Sequence, residues 1–83
     1  MNHWKEKDNT LQAKFSFKDF IDAFAFMTAV AMHAEKQNHH PLWTNVYNTV
    51  EFVLSTHDAG NIVTEKDYTL AETITTIYNK FPS

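Results

Sequence analysis

The sequence feature that most constrains the fold is a helix-start signal that occurs twice, each time after two segments typical of strands. Ser16 precedes Asp19 by three residues, and Thr64 precedes Asp67 by the same spacing, which matches a capping box with Asp in place of Glu. Aromatic and β-branched residues are frequent in segments 42–47 and 50–55, and segments 4–7 and 11–15 are a second pair of candidate strands. The sequence therefore predicts the order ββαββα.

The four strand segments fall into two pairs with short connections. Asp8, Asn9 and Thr10 separate the first pair, and Asn48 and Thr49 separate the second, so we predict that each pair forms a hairpin. Hairpins that alternate with helices are typical of an α+β fold. We therefore predict a four-stranded antiparallel sheet with two helices packed on one face.

The composition limits the kinds of protein that this chain can be. Hydrophobic residues make up 43% of the 83 residues, which indicates one compact domain over residues 1–83. The formal net charge is −3 and basic residues form no cluster, so nucleic acid is not expected as a partner. The chain has no cysteine and therefore no disulfide framework, which suits a reducing compartment.

Two further observations argue against a membrane or secreted protein. The longest apolar run, 23–32, is interrupted by Thr28 and is shorter than the roughly 20 residues that a membrane span needs. The first residues, from Met1 to Asp8, lack the apolar stretch of a secretory signal. We therefore expect a soluble protein in the cytoplasm with no membrane partner.

The helix predicted to begin at Ser16 is apolar on two sides. One stripe at helical spacing consists of Phe17, Phe20, Phe24, Met27, Ala31 and Ala34. The second set consists of Ala23, Phe26, Val30 and Ala29. A small monomer cannot cover both sides, so we predict that the first stripe faces the core and the second forms a subunit interface in a homodimer or homotetramer.

The second helix is predicted to begin at Thr64 and to stop before Pro82, since proline cannot continue a helix. Apolar residues at helical spacing supply its inner face, namely Leu70, Ala71, Ile74, Ile77, Tyr78 and Phe81. This helix therefore has a single apolar side.

Three histidines are predicted to meet at one end of the sheet. His39 and His40 follow the first helix, and His57 follows the fourth strand. In a hairpin, the chain that enters the first strand and the chain that leaves the second lie at the same end. Pro41 disfavours helical geometry at His40, so the chain turns there, and Glu35 lies four residues before His39, within reach of its ring.

Two kinds of chemistry fit such a cluster, beside the ordinary occurrence of histidines in loops. Imidazole, with an unperturbed pKa of about 6.5, both accepts and donates protons at neutral pH, which suits paired acid and base catalysis. Three histidines and a carboxylate would also ligate zinc, but adjacent histidines are a poor chelating pair compared with i, i+4 positions on a helix. We therefore predict no metal, and we treat His3 and His33 as surface or interface residues.

The residues around the cluster closely resemble the pterin-4a-carbinolamine dehydratase family. The resemblance rests on Glu35, the His39-His40-Pro41 core, Trp43, Asn45, Tyr47, the Ser55-Thr56-His57-Asp58 segment and Asp67, which stand in the family's order and spacing. Upstream residues from Trp4 to Phe26 also match, so the resemblance covers nearly the whole chain. The family usually carries a further helix before this tryptophan; we expect that helix to be missing here and the surface that it normally covers to be exposed.

The resemblance implies a hydro-lyase that acts on a 4a-hydroxy-tetrahydropterin in pterin recycling and needs no cofactor. Water is removed to give the quinonoid dihydropterin, and the family's pattern makes His39, His40 and His57 the catalytic acid and base, with Glu35 supporting His39. The pattern does not say which histidine is acid and which is base. The alternative is a non-enzymatic interaction or assembly module on the same scaffold.

The remaining motif positions have structural readings as well as functional ones. Asp67 would support the site or cap its helix, and Trp43 would stack on the pterin or, as we favour, fill the sheet. Asn45 would line the pocket or satisfy a strand edge. Thr56 and Asp58 are expected to hold the His57 loop, and we expect a structural role for Pro41.

Overall fold

The computed structural model describes residues 3–82. The chain forms two strands, a long helix, two more strands, a short 3-10 helix and a final helix. In chain order the elements are β1 Lys5–Lys7, β2 Thr10–Ser16, α1 Phe20–Gln37, β3 Leu42–Val46, β4 Thr49–Leu54, the 3-10 helix His57–Ala59 and α2 Glu65–Tyr78. The predicted α+β class and ββαββα order are confirmed.

The four strands form one antiparallel sheet in the order β1-β2-β4-β3. In the central pair, Leu11 lies opposite Leu54 and Phe15 lies opposite Val50, and all four side chains are buried. The intervening residues of β2 point to the other face and are more exposed. The helices therefore cover one face of the sheet, where the hydrophobic core lies, as the alternation of the strands requires.

Both hairpins form, with one difference in register. Asp8 and Asn9 make the first turn with φ of 52° and 61°, a left-handed geometry that Asp and Asn tolerate well. In the second hairpin Val46 pairs with Thr49, so the two turn residues are Tyr47 and Asn48 rather than the predicted Asn48 and Thr49. Tyr47 takes the positive φ of 50°.

Helix α1 begins later than predicted, because Ser16 is used by the sheet. Ser16 pairs with Thr49 at the end of β2, and the amide of Phe17 donates to the Asn48 carbonyl at 2.9 Å. The helix is capped by Asp19, whose Oδ1 accepts from the amide of Asp22 at 2.8 Å. The capping box predicted at Ser16 and Asp19 is therefore wrong, and Asp19 is itself the N-cap.

The assignment of the two apolar sides of α1 is right only in part: Phe17 and Ala34 of the predicted inner stripe are buried, and Met27 packs against the core. Ala23, Phe26 and Val30, which we predicted at a subunit interface, are fully buried in the core. Phe20 and Phe24 of the predicted inner stripe are 45% and 56% exposed. On the buried side, Phe26 packs between Phe15, Phe17 and Phe52, with Ala23 and Ala34 buried beside it.

Helix α2 agrees with its prediction. Thr64 is the N-cap, and a capping box links it to Asp67. Of the predicted inner face, Leu70, Ala71, Ile74 and Ile77 are buried, and Tyr78 and Phe81 are partly buried against the core.

The structure bears on the membrane prediction but does not test the export prediction. Within residues 3–82, neither helix combines the length and apolar character that crossing a bilayer requires. The export prediction starts from Met1, which with Asn2 and Ser83 lies outside the described residues.

Candidate active site

A cleft of about 250 Å³ opens at the end of the sheet where β3 begins and β4 ends. Its lining combines the segment after α1, the segment after β4 and the first turn of α2. The lining residues are Asn38, His39, His40, Ser55, Thr56, His57, Asp58 and Lys66. The structure thus brings the three histidines of the sequence motif to one cleft, although 17 or more residues of chain separate the pair from His57.

The end of α1 places His39 and His40 at this cleft. Asn38 adopts φ 54°, its amide donates to the Glu35 carbonyl, and the amide of His39 donates to the Ala34 carbonyl at 3.1 Å. These two bonds make a Schellman motif, which ends a helix with one left-handed residue. The chain reverses there, so neither histidine continues the helix.

His39 is held by Asp67 of α2. Its Nε2 lies 2.6 Å from Asp67 Oδ1, and the two side chains are 11% and 0% exposed. A carboxylate only accepts hydrogen bonds, so Nε2–H donates and Nδ1 is the ring nitrogen left for another partner. Asp67 also completes the capping box of α2, so the two roles that the sequence left open for it are combined in one carboxylate.

Glu35 contacts His40 rather than His39, which corrects the prediction. The distance from His40 Nε2 to Glu35 Oε1 is 2.9 Å, and the two side chains are 60% and 80% exposed. Because the helix ends at Gln37, the i, i+4 relation to His39 is lost. A pair this exposed adds little stability but can orient the ring.

His57 belongs to the 3-10 helix that follows β4 and is exposed to solvent. Its Nδ1 lies 3.2 Å from Oδ1 of Asn61. The loop closes through left-handed Gly60 and Asn61, with φ of 89° and 61°, and through the amide of Thr56, which donates to the Ile62 carbonyl at 2.8 Å. Backbone hydrogen bonds therefore fix the position of the loop that carries His57.

The other predicted site residues divide between the cleft and the sheet. Asp58 lines the cleft, and Thr56 lines it while being 6% exposed. Trp43 packs on Phe52 with ring centroids 5.6 Å apart, and Asn45 donates to the carbonyls of Tyr47 and Thr49 at the hairpin turn. Neither Trp43 nor Asn45 is among the residues that line the cleft. Pro41 is half-buried between His40 and β3.

The sequence reasoning missed two residues that line the cleft, Asn38 and Lys66, and also Asn61, which contacts the His57 ring. Asn38 had a readable signal, because Asn in the last turn before a proline favours a left-handed helix end. Lys66 lies one residue before Asp67 on an exposed side of α2, and it also lines a second hollow of about 320 Å³ on the other side of His39. The positive charge of Lys66 does not by itself predict a position at the cleft.

Among residues 3–82, no group of three or more His, Asp or Glu side chains is arranged to hold a metal ion. The histidine nitrogens instead pair with separate partners: Asp67 for His39, Glu35 for His40 and Asn61 for His57. What the site offers chemically is imidazole groups at one small opening, two of them held by carboxylates. The protein is therefore a small α+β domain with a histidine-lined cleft.

Comparison with known proteins identifies the family. The model of the pterin 4 alpha carbinolamine dehydratase family matches residues 1–77, and the chain belongs to this family. A relative from Nitrobacter hamburgensis, named "Putative pterin-4-alpha-carbinolamine dehydratase", is 58% identical over 67 residues, which cover 81% of this chain and 65% of the relative. The chain therefore spans just under two thirds of that protein's length.

Two solved structures resemble the fold. The crystal structure of a transcriptional coactivator/pterin dehydratase from Brucella melitensis has a TM-score of 0.90 and 41% identity, covering 94% of this chain and 84% of that one. A pterin dehydratase-like protein described as a RuBisCO assembly factor in the alpha-carboxysome has a TM-score of 0.77. It is 22% identical over 90% of this chain and 88% of that one, and this likeness shows a shared fold alone.

Proposed function

We propose that this protein removes water from a 4a-hydroxy-tetrahydropterin by histidine acid and base catalysis. The observation that carries the proposal is the lining of one cleft by His39, His40 and His57. Family membership supplies the substrate class. A cytoplasmic location stays an expectation from the sequence.

The reaction asks for two proton transfers and no external reactant. The N5 lone pair forms the N5=C4a bond as the C4a–O bond breaks, and the hydroxyl leaves as water after receiving a proton from an imidazolium. A neutral imidazole accepts the proton from N5, so the products are the quinonoid dihydropterin and water. Proton transfers of this kind by positioned side chains contribute about 10² to 10⁴ in rate.

The environments of the three rings suggest a division of labour. His39 is nearly buried, and Asp67 occupies its Nε2. His40 and His57 are exposed and are held by Glu35 and Asn61 through one nitrogen each. We therefore propose that His40 and His57 exchange protons with substrate and solvent, while His39 keeps one orientation and presents Nδ1 to the pterin.

Substitution of His40 and His57 tests their proposed roles in proton transfer. His40→Ala and His57→Ala should each lower kcat/KM for 4a-hydroxy-tetrahydropterin dehydration by at least about tenfold, because each removes one positioned proton-transfer group. The initial rate is measured by stopped-flow absorbance and corrected for spontaneous dehydration. Circular dichroism and urea unfolding verify that the variants remain folded.

His33→Ala is the matched control, because His33 is an exposed histidine of α1 that lies outside the cleft lining. It should keep the parent rate. Unchanged turnover in both His40→Ala and His57→Ala would refute the acid and base roles.

The alternative function is a non-enzymatic assembly module. The fold is shared with a protein described as an assembly factor, so the scaffold alone does not separate the two functions. Loss of partner binding on altering exposed helix residues, with dispensable histidines, would favour assembly. The histidine-lined cleft favours the dehydratase, since a module that binds through its helices has no use for imidazoles there. Elemental analysis that finds stoichiometric zinc would instead support a metal-binding protein.

A further inference from the structure

A chain of buried hydrogen bonds connects the N-cap of α2 to the cleft. Thr56 Oγ1 lies 2.8 Å from Asp67 Oδ2 and 2.6 Å from Thr64 Oγ1. The amide of Thr64 also donates to Asp67 Oδ2 at 2.9 Å. Asp67 in turn bonds His39 through its other oxygen. Thr56 and Thr64 are thus joined to His39 by hydrogen bonds through the Asp67 carboxylate.

The donors in this chain all point toward the carboxylate. Asp67 Oδ2 accepts the Thr56 hydroxyl proton, so the short contact between the two hydroxyls must use the proton of Thr64. Thr64 Oγ1 then accepts from the amide of Lys66 at 3.3 Å. Each hydroxyl therefore has both a donor and an acceptor partner, and the carboxylate is fixed on one oxygen by Thr56 and Thr64 and on the other by His39.

Thr56 stands between the two halves of the histidine cluster. Its backbone holds the His57 loop, since its amide donates to Ile62 and its carbonyl accepts from Ala59 and Asn61 at 3.2 Å and 3.1 Å. Its side chain acts in the other direction, on Asp67 and through it on His39. A change confined to the hydroxyl therefore separates the two effects.

We propose that Thr56 and Thr64 are positioning residues that act through Asp67 to hold His39 as the Nε2–H tautomer with Nδ1 turned to the cleft. Without the Thr56 hydroxyl, Asp67 Oδ2 loses a donor in a buried setting, and the carboxylate is free to rotate away from His39. The kinetic part of this proposal rests on the proposed function, whereas the state of the His39 ring does not.

The test uses isosteric substitution of the hydroxyl by a methyl group. In Thr56→Val, long-range ¹H–¹⁵N correlation spectra of ¹⁵N-histidine-labelled protein should show the His39 nitrogens shifted toward a mixture of tautomers, with the His57 nitrogens unchanged. Dehydration kcat/KM should fall about tenfold, the effect expected for losing a hydrogen bond to a charged group. Thr56→Ser, which keeps the hydroxyl, should restore both readouts.

Thr64→Val and Thr64→Ser form the second pair, with the same expected direction. Thr64→Val also weakens the helix cap. Recovery of the His39 spectrum in Thr64→Ser would show that the hydroxyl is responsible for the effect. Thr76→Val is the control, because Thr76 is an exposed threonine of α2 outside the hydrogen-bonded chain.

The outcomes separate this proposal from the proposed function. A folded Thr56→Val protein whose His39 spectrum matches that of the parent would overturn the positioning role. A shifted spectrum in a protein whose parent form does not dehydrate the pterin would support the positioning role and refute the dehydratase.

Discussion

Asp67 is the residue that joins His39 to the start of α2. It is fully buried, it completes the capping box of α2, and it contacts His39 at 2.6 Å. The spacing from Thr64 predicted the cap because a capping box is a local signal. The contact with His39 was not predictable, since 28 residues separate the pair and only the packing of α2 beside the end of α1 brings them together.

Glu35 shows the same limit over a shorter distance. The i, i+4 rule paired it with His39, and that rule holds only while the helix continues. The left-handed Asn38 ends the helix and moves His40 to the carboxylate instead. The three histidines that the sequence grouped together therefore line one cleft, whereas the partner of Glu35 depends on where the helix ends.

Substitution of Asp67 by Asn measures what this carboxylate contributes to stability. An amide has one oxygen, so either His39 or the threonine hydroxyls would face its NH₂ group. We expect Asp67→Asn to lower the free energy of unfolding by about 1–3 kcal/mol, measured by urea denaturation. Glu72→Gln, an exposed change on the same helix, should stay within about 0.5 kcal/mol of the parent. Equal effects of the two variants would show that the buried contacts of Asp67 are not stabilising.

At the scale of elements, the order of strands and helices was predictable and the orientation of α1 was not. Alternation in β2 and β4 defined a buried face, because successive strand residues point to opposite sides. Helix α1 is apolar on two sides, so periodicity offered two orientations of similar merit. The buried side combines Ala23, Phe26 and Val30 of one set with Ala34 of the other.

Two side-chain hydrogen bonds connect the short edge strand β1, and Trp4 just before it, to α2. Trp4 Nε1 donates to Thr75 Oγ1 at 2.8 Å, and the Tyr68 hydroxyl donates to Glu6 Oε1 at 2.6 Å. The hydrogen bond to Glu6 is the main reason that the pKa of Tyr68 is raised above its ordinary value. The phenol can make this bond only while it is protonated.

This tether should therefore depend on pH in one direction. Because the pKa is raised in the folded state, any contribution to stability is present below the unfolded pKa of about 10 and is lost as the pH rises through the folded value. In Glu6→Gln, an NMR titration of the Tyr68 ring should show its pKa lowered toward the ordinary value. Glu51→Gln, an exposed change in β4, should leave it unchanged, and an equal pKa in parent and Glu6→Gln would contradict the assigned cause.

At the scale of the whole molecule, one side of α1 exposes several large apolar side chains. Ile21 and Met32 are 74% and 68% exposed, and Phe20 and Phe24 place their rings 5.7 Å apart on the same side. The homodimer or homotetramer stays a prediction, now placed on this side. A charged substitution at Phe26 would not test this prediction, because Phe26 is buried in the core.

Phe24→Glu is the appropriate test of association. If this side of α1 is an interface, removing buried apolar area at roughly 25 cal/mol per Å² and adding a charge should shift the protein toward lower mass in sedimentation velocity. Thr76→Glu adds the same charge at an exposed position of α2 and should leave the parent distribution unchanged. A parent protein that sediments as a monomer would end the prediction.

The capping box of α2 includes Asp67, the residue that also holds His39. Helix ends open more readily than helix centres, and such openings need no disruption of the sheet. Opening of the first turn of α2 would separate Asp67 from His39. If His39 acts as proposed, the fraction of time that the site is competent would follow the opening equilibrium of a few amides rather than the stability of the entire domain.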